Sequence, residues 1–313
     1  MKNIWLVIPC YNEEEVLHET SKQLKAIMER MIASKKISEE SRIVFVNDGS
    51  KDKTWEIIKG LHEEDPLFAG INLSKNRGHQ NALLAGLLTT KDYADAVISL
   101  DADLQDDVNV IEQFIDEFEK GYDVVYGVRS SRKSDTFFKK FTAEGFYKVM
   151  QLLGVNIVFN HADYRLMSRR ALDGLNEFEE RNLFLRGIIP LIGYPSTTVE
   201  YERHERFAGE SKYPLKKMLS FAFNGITSFS IKPIRMILNT GVLMFLISIV
   251  IMIWSVVDKY RGNTVPGWTS LMVSIWMIGG IQLISIGFVG EYIGKIYEET
   301  KKRPRFIIES FLR

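Results

Sequence analysis

Five short apolar runs in the first half of the chain stop abruptly at polar clusters, and helical patterns separate them. Ile4-Trp5-Leu6-Val7-Ile8 reads as a strand that breaks at Pro9-Cys10-Tyr11-Asn12, after which Glu13-Glu14-Glu15 opens a helix with acidic residues in its favourable first turn. Arg42 to Val46 ends in Asn47-Asp48-Gly49-Ser50, and a helix begins near Asp52 to Thr54. Ala69 to Leu73 precedes Lys75-Asn76-Arg77-Gly78 and a helix from Gln80 to Leu88. Ala96 to Leu100 runs into Asp101, and after a further helix Asp123 to Arg129 reads as another strand. Strands alternating with helices specify a doubly wound, mostly parallel α/β sheet. Ligands bind such sheets beyond the carboxyl ends of the strands. Tyr11, Asp48, Asp101, Asp103 and Arg129 all fall there.

Asp101-Ala102-Asp103-Leu104-Gln105 is the most chemically pointed of these ends. Carboxylates at i and i+2 on an extended backbone turn to one side, where they repel unless a hard divalent cation lies between them. Such ions bridge to phosphates, so the pair is a candidate site for a metal-diphosphate substrate. Asp-x-Asp also arises by chance and as turn chemistry, and only its neighbours raise it above that.

Those neighbours resemble family-2 glycosyltransferases of the GT-A type, closest to the polyprenyl-phosphate sugar transferases. The resemblance rests on Pro9-x-Tyr11-Asn12-Glu13, Asn47-Asp48-Gly49-Ser50, Asp101 to Gln105, Gly127-x-Arg129 and Arg206-x-x-Gly209-Glu210-Ser211-Lys212-Tyr213. Two departures stand out. Asn47 replaces a common first Asp, and Asp106-Asp107 stand where many members have proline.

The resemblance implies inverting transfer of a sugar from a UDP-sugar to polyprenyl (undecaprenyl) phosphate for cell-envelope glycan modification, with glucose or N-acetylglucosamine as leading sugars. Asp101 and Asp103 would hold Mg²⁺ or Mn²⁺. Pro9, Tyr11, Glu13, Val46, Asp48, Asp101 and Gln105 correspond to nucleotide-sugar positions. Arg129, Arg206 and Lys212 match phosphate-contacting positions for the acceptor, and Arg186 is a further candidate. The catalytic group would comprise Asp103, Asp163 and Arg129. Asp163, in Ala162-Asp163-Tyr164-Arg165-Leu166, resembles the segment where related enzymes place a base. A phosphate monoester ionises a second time near pH ~6 and brings little proton to remove. Two roles for Asp163 therefore stay open: a base, or a partner that orients an arginine. Implied partners are the lipid bilayer, a second copy of the chain, and a downstream flippase and transferase. Alternatives are a processive polysaccharide synthase, disfavoured by the missing Gln-x-x-Arg-Trp motif, and a non-catalytic membrane scaffold.

The apolar content of 46% is unevenly spread. Met236 to Val257 and Trp268 to Gly290 carry no charge. A run of about 22 residues spans about 33 Å as a helix, enough for a bilayer core. Lys232 and Arg235 flank one side, and Lys295, Lys301, Lys302, Arg303 and Arg305 the other, which places catalytic domain and C-terminus in the cytoplasm. Two buried helices of a soluble domain are the competing reading. The expected organisation is a catalytic domain over 1–212, interfacial amphipathic helices over 213–235, a transmembrane hairpin over 236–290 (236–257 and 268–290) and a cytoplasmic tail over 291–313. A chain that opens on a strand is expected to lack a signal peptide. The balanced net charge of +0 disfavours nucleic acid. The single cysteine, Cys10, allows no internal disulfide, fits a reducing compartment and reads as a small buried residue.

Overall fold

The computed structural model describes residues 1–129, 161–181, 184–202 and 267–313, with isolated positions between 234 and 253. Two units are distinguished, one comprising 1–148, 156–215 and 303–313 and the other 149–155 and 216–302.

The first unit is built on one eight-stranded sheet. Its strands are β1 (Ile4–Cys10), β2 (Arg42–Asn47), β3 (Phe68–Leu73), β4 (Ala96–Ser99), β5 (Val124–Arg129), β6 (His161–Ser168), β7 (Ser196–Tyr201) and β8 (Ile308–Leu312), in the order β7-β5-β6-β4-β1-β2-β3-β8. β4, β1, β2 and β3 run parallel, as does the pair β5 and β7. β6 is antiparallel to both β4 and β5, and β8 is antiparallel to β3. The expected α/β GT-A arrangement therefore holds as a mixed sheet, and each of the five strands expected from the sequence is present. Helices α1 (Leu17–Ala33), α2 (Thr54–Glu64), α3 (His79–Thr90) and α4 (Ile111–Glu119) supply the crossovers. The first helix begins at Leu17 rather than at Glu13, because Glu13 and Glu14 are drawn into hydrogen bonds with the segment after β2.

Every residue of β1 is buried, as a central strand covered on both faces requires. Gly86 lets α3 lie close on this sheet, since a Cβ there would fall 2.4 Å from Val7 Cγ1 and 2.8 Å from Val46 Cγ2. The thiol of Cys10 is buried, as expected, and burial pushes its pKa up.

The segment expected to be a tail, 291–313, is structured instead. The helix Trp268–Thr300 continues ten residues past the expected boundary at 290, and β8 joins the catalytic sheet. A short apolar strand can only satisfy its backbone groups by pairing, and the edge of β3 offers those partners.

Among the described residues no helix is long and apolar enough to cross a membrane. The expected span 236–257 and the interfacial stretch 213–235 fall almost wholly outside the described residues. The span 268–290 lies within Trp268–Thr300, whose last turns carry Glu291, Lys295, Glu298 and Glu299. The described structure thus does not show the two spans expected from the sequence.

Candidate active site at the strand ends

Two loops at the carboxyl ends of β1 and β2 are laced together by hydrogen bonds. Asn12 N–H donates to Ser50 Oγ (3.0 Å), Lys51 N–H to Asn12 Oδ1 (2.9 Å) and Glu13 N–H to Thr54 Oγ1 (2.9 Å). Asn12 adopts φ +54°, a left-handed conformation that asparagine tolerates better than most residues. Gly49, at φ +63°, has no room for a side chain: a Cβ would meet Asn76 N at 2.5 Å.

The nucleotide positions expected from the sequence gather here in different states. Tyr11 is 38% exposed. Val46 is fully buried under α3, and Pro9 is buried within β1, so neither presents its side chain to the surface. Asp48 is also buried, and its two carboxylate oxygens accept from Arg77 N–H (2.6 Å) and Gly78 N–H (2.9 Å). Burial raises its pKa, while those two bonds act against the rise. Asp48 therefore fixes the loop before α3.

The loop after β4 carries the acidic pair. Leu104 adopts φ +55°, strained for a non-glycine residue and the kind of outlier that clusters at functional sites. Gln105 N–H closes on Asp103 Oδ1 at 3.2 Å. Thr20 Oγ1 donates to Ala102 O (2.7 Å) and Tyr164 OH to Asp107 O (3.0 Å), pinning both ends. The Oδ1 atom of Asp101 is shut off from solvent and has no hydrogen-bond partner among the described residues, although the rest of its side chain reaches the surface. Burial raises the pKa of Asp101, and the negative charges of Asp163 and Asp103 add to that, against the pull of His79 and Arg186. A carboxylate oxygen shut off from solvent without a hydrogen-bond partner, two residues before a second carboxylate, is a fit for a hard cation, whose preferred donors are carboxylate oxygens. Among the described residues no three His, Cys, Asp or Glu side chains gather as a self-sufficient metal cage. Mg²⁺ in particular is often held by one or two carboxylates with substrate phosphates completing the shell.

Asp163, brought beside Asp101 by the pairing of β6 with β4, is ringed by cations. Arg186 donates to it through Nε (3.3 Å) and Nη2 (3.1 Å), Arg165 donates from a fully buried guanidinium, and His79 Nε2 lies 3.6 Å away. Burial alone would raise the Asp163 carboxyl, but Arg186, His79 and Arg165 together hold it well below the usual range. Of its two open roles the geometry favours the partner of arginines. Arg186, read from the sequence as a phosphate contact, turns its fork to Asp163.

His79 was not singled out in the sequence. It opens α3, with Nε2 3.5 Å from Asp101 Oδ1. Burial works against its charged form, yet the carboxylates of Asp163 and Asp101 beside it prevail and raise its pKa to about 9. The only sequence signal was its place between Gly78 and the apolar helix.

Arg129 ends β5 and is steadied by β7. Its Nε donates to Tyr201 OH (3.4 Å), Tyr201 OH donates to Asp106 Oδ1 (2.5 Å), and Arg129 Nη2 lies 3.9 Å from Asp106. Burial, with the nearby charge of Asp101, pushes Asp106 up to about 6. Arg206 and Lys212 lie outside the described residues.

Residues 5–175 match the family model described as glycosyl transferase family 2, and residues 232–296 match the GtrB C-terminal hairpin. The chain is 53% identical over 304 residues to an uncharacterized glycosyltransferase, YkoT, of Bacillus subtilis (strain 168), covering 97% of this chain and 90% of the relative. It is 43% identical over 309 residues to the bactoprenol glucosyl transferase of Shigella phage SfX, covering 98% and 99% respectively. Among solved structures, glucosyl-3-phosphoglycerate synthase from Mycobacterium tuberculosis aligns over 72% of this chain and 76% of its own, with TM-score 0.46 and 15% identity. With the family model spanning more than half of its length and relatives matched almost end to end, the chain is a glycosyltransferase and belongs to family 2.

Proposed function

We propose that this glycosyltransferase transfers glucose from UDP-glucose to a polyprenyl phosphate at the cytoplasmic face of a membrane. The observation that carries this reading is the end-to-end likeness to a bactoprenol glucosyl transferase, hairpin segment included. The uridine donor rests on the motifs at Pro9 to Glu13, Asn47 to Ser50 and Asp101 to Gln105.

In the reaction the bond from the sugar C1 to the diphosphate oxygen breaks, and a bond from C1 to an acceptor phosphate oxygen forms with inversion. Asp101 and Asp103 would hold Mg²⁺ or Mn²⁺, which supplies charge neutralisation to the departing nucleoside diphosphate. Tyr11 offers a stacking face for the base, and Gln105 remains a donor-side contact. Arg129, steadied by Tyr201 and Asp106, offers an oriented guanidinium to a phosphate, with Arg206 and Lys212 as further acceptor contacts. The acceptor enters largely as a dianion at neutral pH, so no carboxylate has to remove a proton from it.

A panel of nucleotide sugars offered with a short polyprenyl phosphate tests the assignment, with lipid products weighed by mass spectrometry. A hexose-lipid from UDP-glucose alone is expected. Turnover of UDP-N-acetylglucosamine instead would reassign the sugar, and no lipid product from any donor would remove the reading.

Membrane attachment is part of the same proposal. The uncharged sequence over 236–257 and 268–290 supports a hairpin, as do the exposed apolar side chains of Leu271, Ile275, Leu283, Ile284 and Ile286. A cysteine introduced at Asn263 is expected to react with an impermeant reagent on intact cells, against a low background because Cys10 is buried. Protection there, with labelling of a cysteine added at the C-terminus, would reverse the orientation.

A further inference from the structure

β8 returns to the catalytic sheet with a register shift. Asn72 pairs with Ser310 but Leu73 pairs with Ile308, leaving Glu309 as the extra residue of a bulge. Bulges re-aim side chains, and this one turns Glu309 to Asn72. Asn72 Nδ2 donates to Glu309 Oε2 (2.7 Å), Asn47 Nδ2 donates to Asn72 Oδ1 (2.7 Å), and Asn47 Oδ1 accepts from Ser50 N–H (3.2 Å). Ser50 Oγ in turn accepts from Asn12 N–H. A single file of hydrogen bonds thus links the C-terminal strand to both loops that carry the nucleotide motifs.

The polarity of this file is fixed at one end. An ionised carboxylate only accepts, so Glu309 obliges Asn72 to present its amide NH₂ outward and its oxygen inward. Residue 47 must then donate to Asn72 while accepting from Ser50. Asparagine can do both and aspartate cannot. The departure at position 47 and the glutamate on β8 are therefore matched, though the two are remote in sequence.

We propose that Glu309 and Asn72 are positioning residues for the nucleotide-sugar site, acting through Asn47 on the 47–50 loop. This rests on the reading of that loop as part of the donor site. Asn47→Asp should reverse Asn72, which then turns its oxygen towards Glu309 and opposes it. Glu309→Gln in that background supplies a donor and repairs the contact, while Glu309→Gln alone keeps an acceptor and changes little.

The test is a double-mutant cycle on the full chain in detergent, with UDP binding followed by calorimetry. Asn47→Asp is expected to weaken UDP about tenfold, and the double variant to return to within about threefold of wild type. Glu309→Gln alone keeps an acceptor for Asn72 and is the reference arm of the cycle, whereas Glu309→Leu, which keeps none, should weaken UDP about threefold or more. Equal gains from Glu309→Gln in both backgrounds would mean simple removal of negative charge and would overturn the proposal. So would an Asn47→Asp variant that binds UDP like wild type. Hydrogen exchange at the Ser50 amide, without nucleotide, gives a second readout in which protection should fall in Asn47→Asp and return in the double variant. If wild type binds no UDP, the donor reading fails and this exchange cycle alone decides the relay; unchanged protection across the four proteins overturns it.

Discussion

Asparagine in place of Asp163 is expected to lower the melting temperature by about 10 °C and to cut turnover sharply. Arg165 is 1% exposed, and losing its carboxylate partner leaves a buried charge uncompensated, a change that typically costs about 3–5 kcal/mol. Arg186 and His79 lose the same anchor. The Asp163 carboxyl is held below its ordinary value, so its contribution to stability is complete above about pH 4 and is lost as the pH falls further. His79 acts in the opposite direction: its pKa is raised, so its contribution is complete below about pH 6.5 and is lost as the pH climbs through about 9. A carboxyl already ionised at every working pH gives the rate no limb of its own. Both wild type and Asp163→Asn should then follow the acceptor phosphate near pH ~6, the variant at a lower plateau. Thermal melts and a pH–rate profile decide this together. An Asp163→Asn protein that melts like wild type and has lost a titrating limb would make Asp163 the base.

Asp103→Asn is expected to reduce turnover about 1,000-fold while the protein stays folded, because in the proposed reaction a cation offsetting charge on the departing diphosphate would lose a ligand. Asp101→Asn should be similarly inactive yet no less stable than wild type. The substitution removes a carboxylate whose pKa burial, Asp163 and Asp103 raise in spite of His79 and Arg186, so activity and stability pull apart at this residue. Initial rates with and without excess EDTA, beside melting curves, separate the two effects. Undiminished turnover in Asp103→Asn, or in wild type with the chelator, would discard the metal assignment.

The strands legible in the sequence are those with a predominantly apolar signature, β1 to β5. β6 escaped because it carries Asp163 and Arg165 side by side with Tyr164 and Leu166, a mixture that reads as surface until the ion pair is seen closed inside the sheet. β7 exposes half of its residues at an edge, and β8 is short. The acidic pair and Arg129 were legible because strand ends collect polar residues for a reason that acts locally. What their neighbours do was not. His79 acquires meaning only from Asp101 and Asp163, and Arg186, a plausible phosphate contact by residue type, is claimed by Asp163. Asp48 was read as facing a ligand but holds the backbone of Arg77 and Gly78.

The place of β8 in the sheet also bears on when the enzyme becomes complete during its synthesis. Strand Ile308–Leu312 emerges from the ribosome only after residues 216–302 have been made, yet it forms one edge of the domain that the first residues begin. A nascent chain halted before that strand has Asp101, Asp103 and Asp163 but leaves β3 with an open edge and Asn72 without Glu309. The order of translation therefore delays closure of the β3 edge until residues 216–302 have been made.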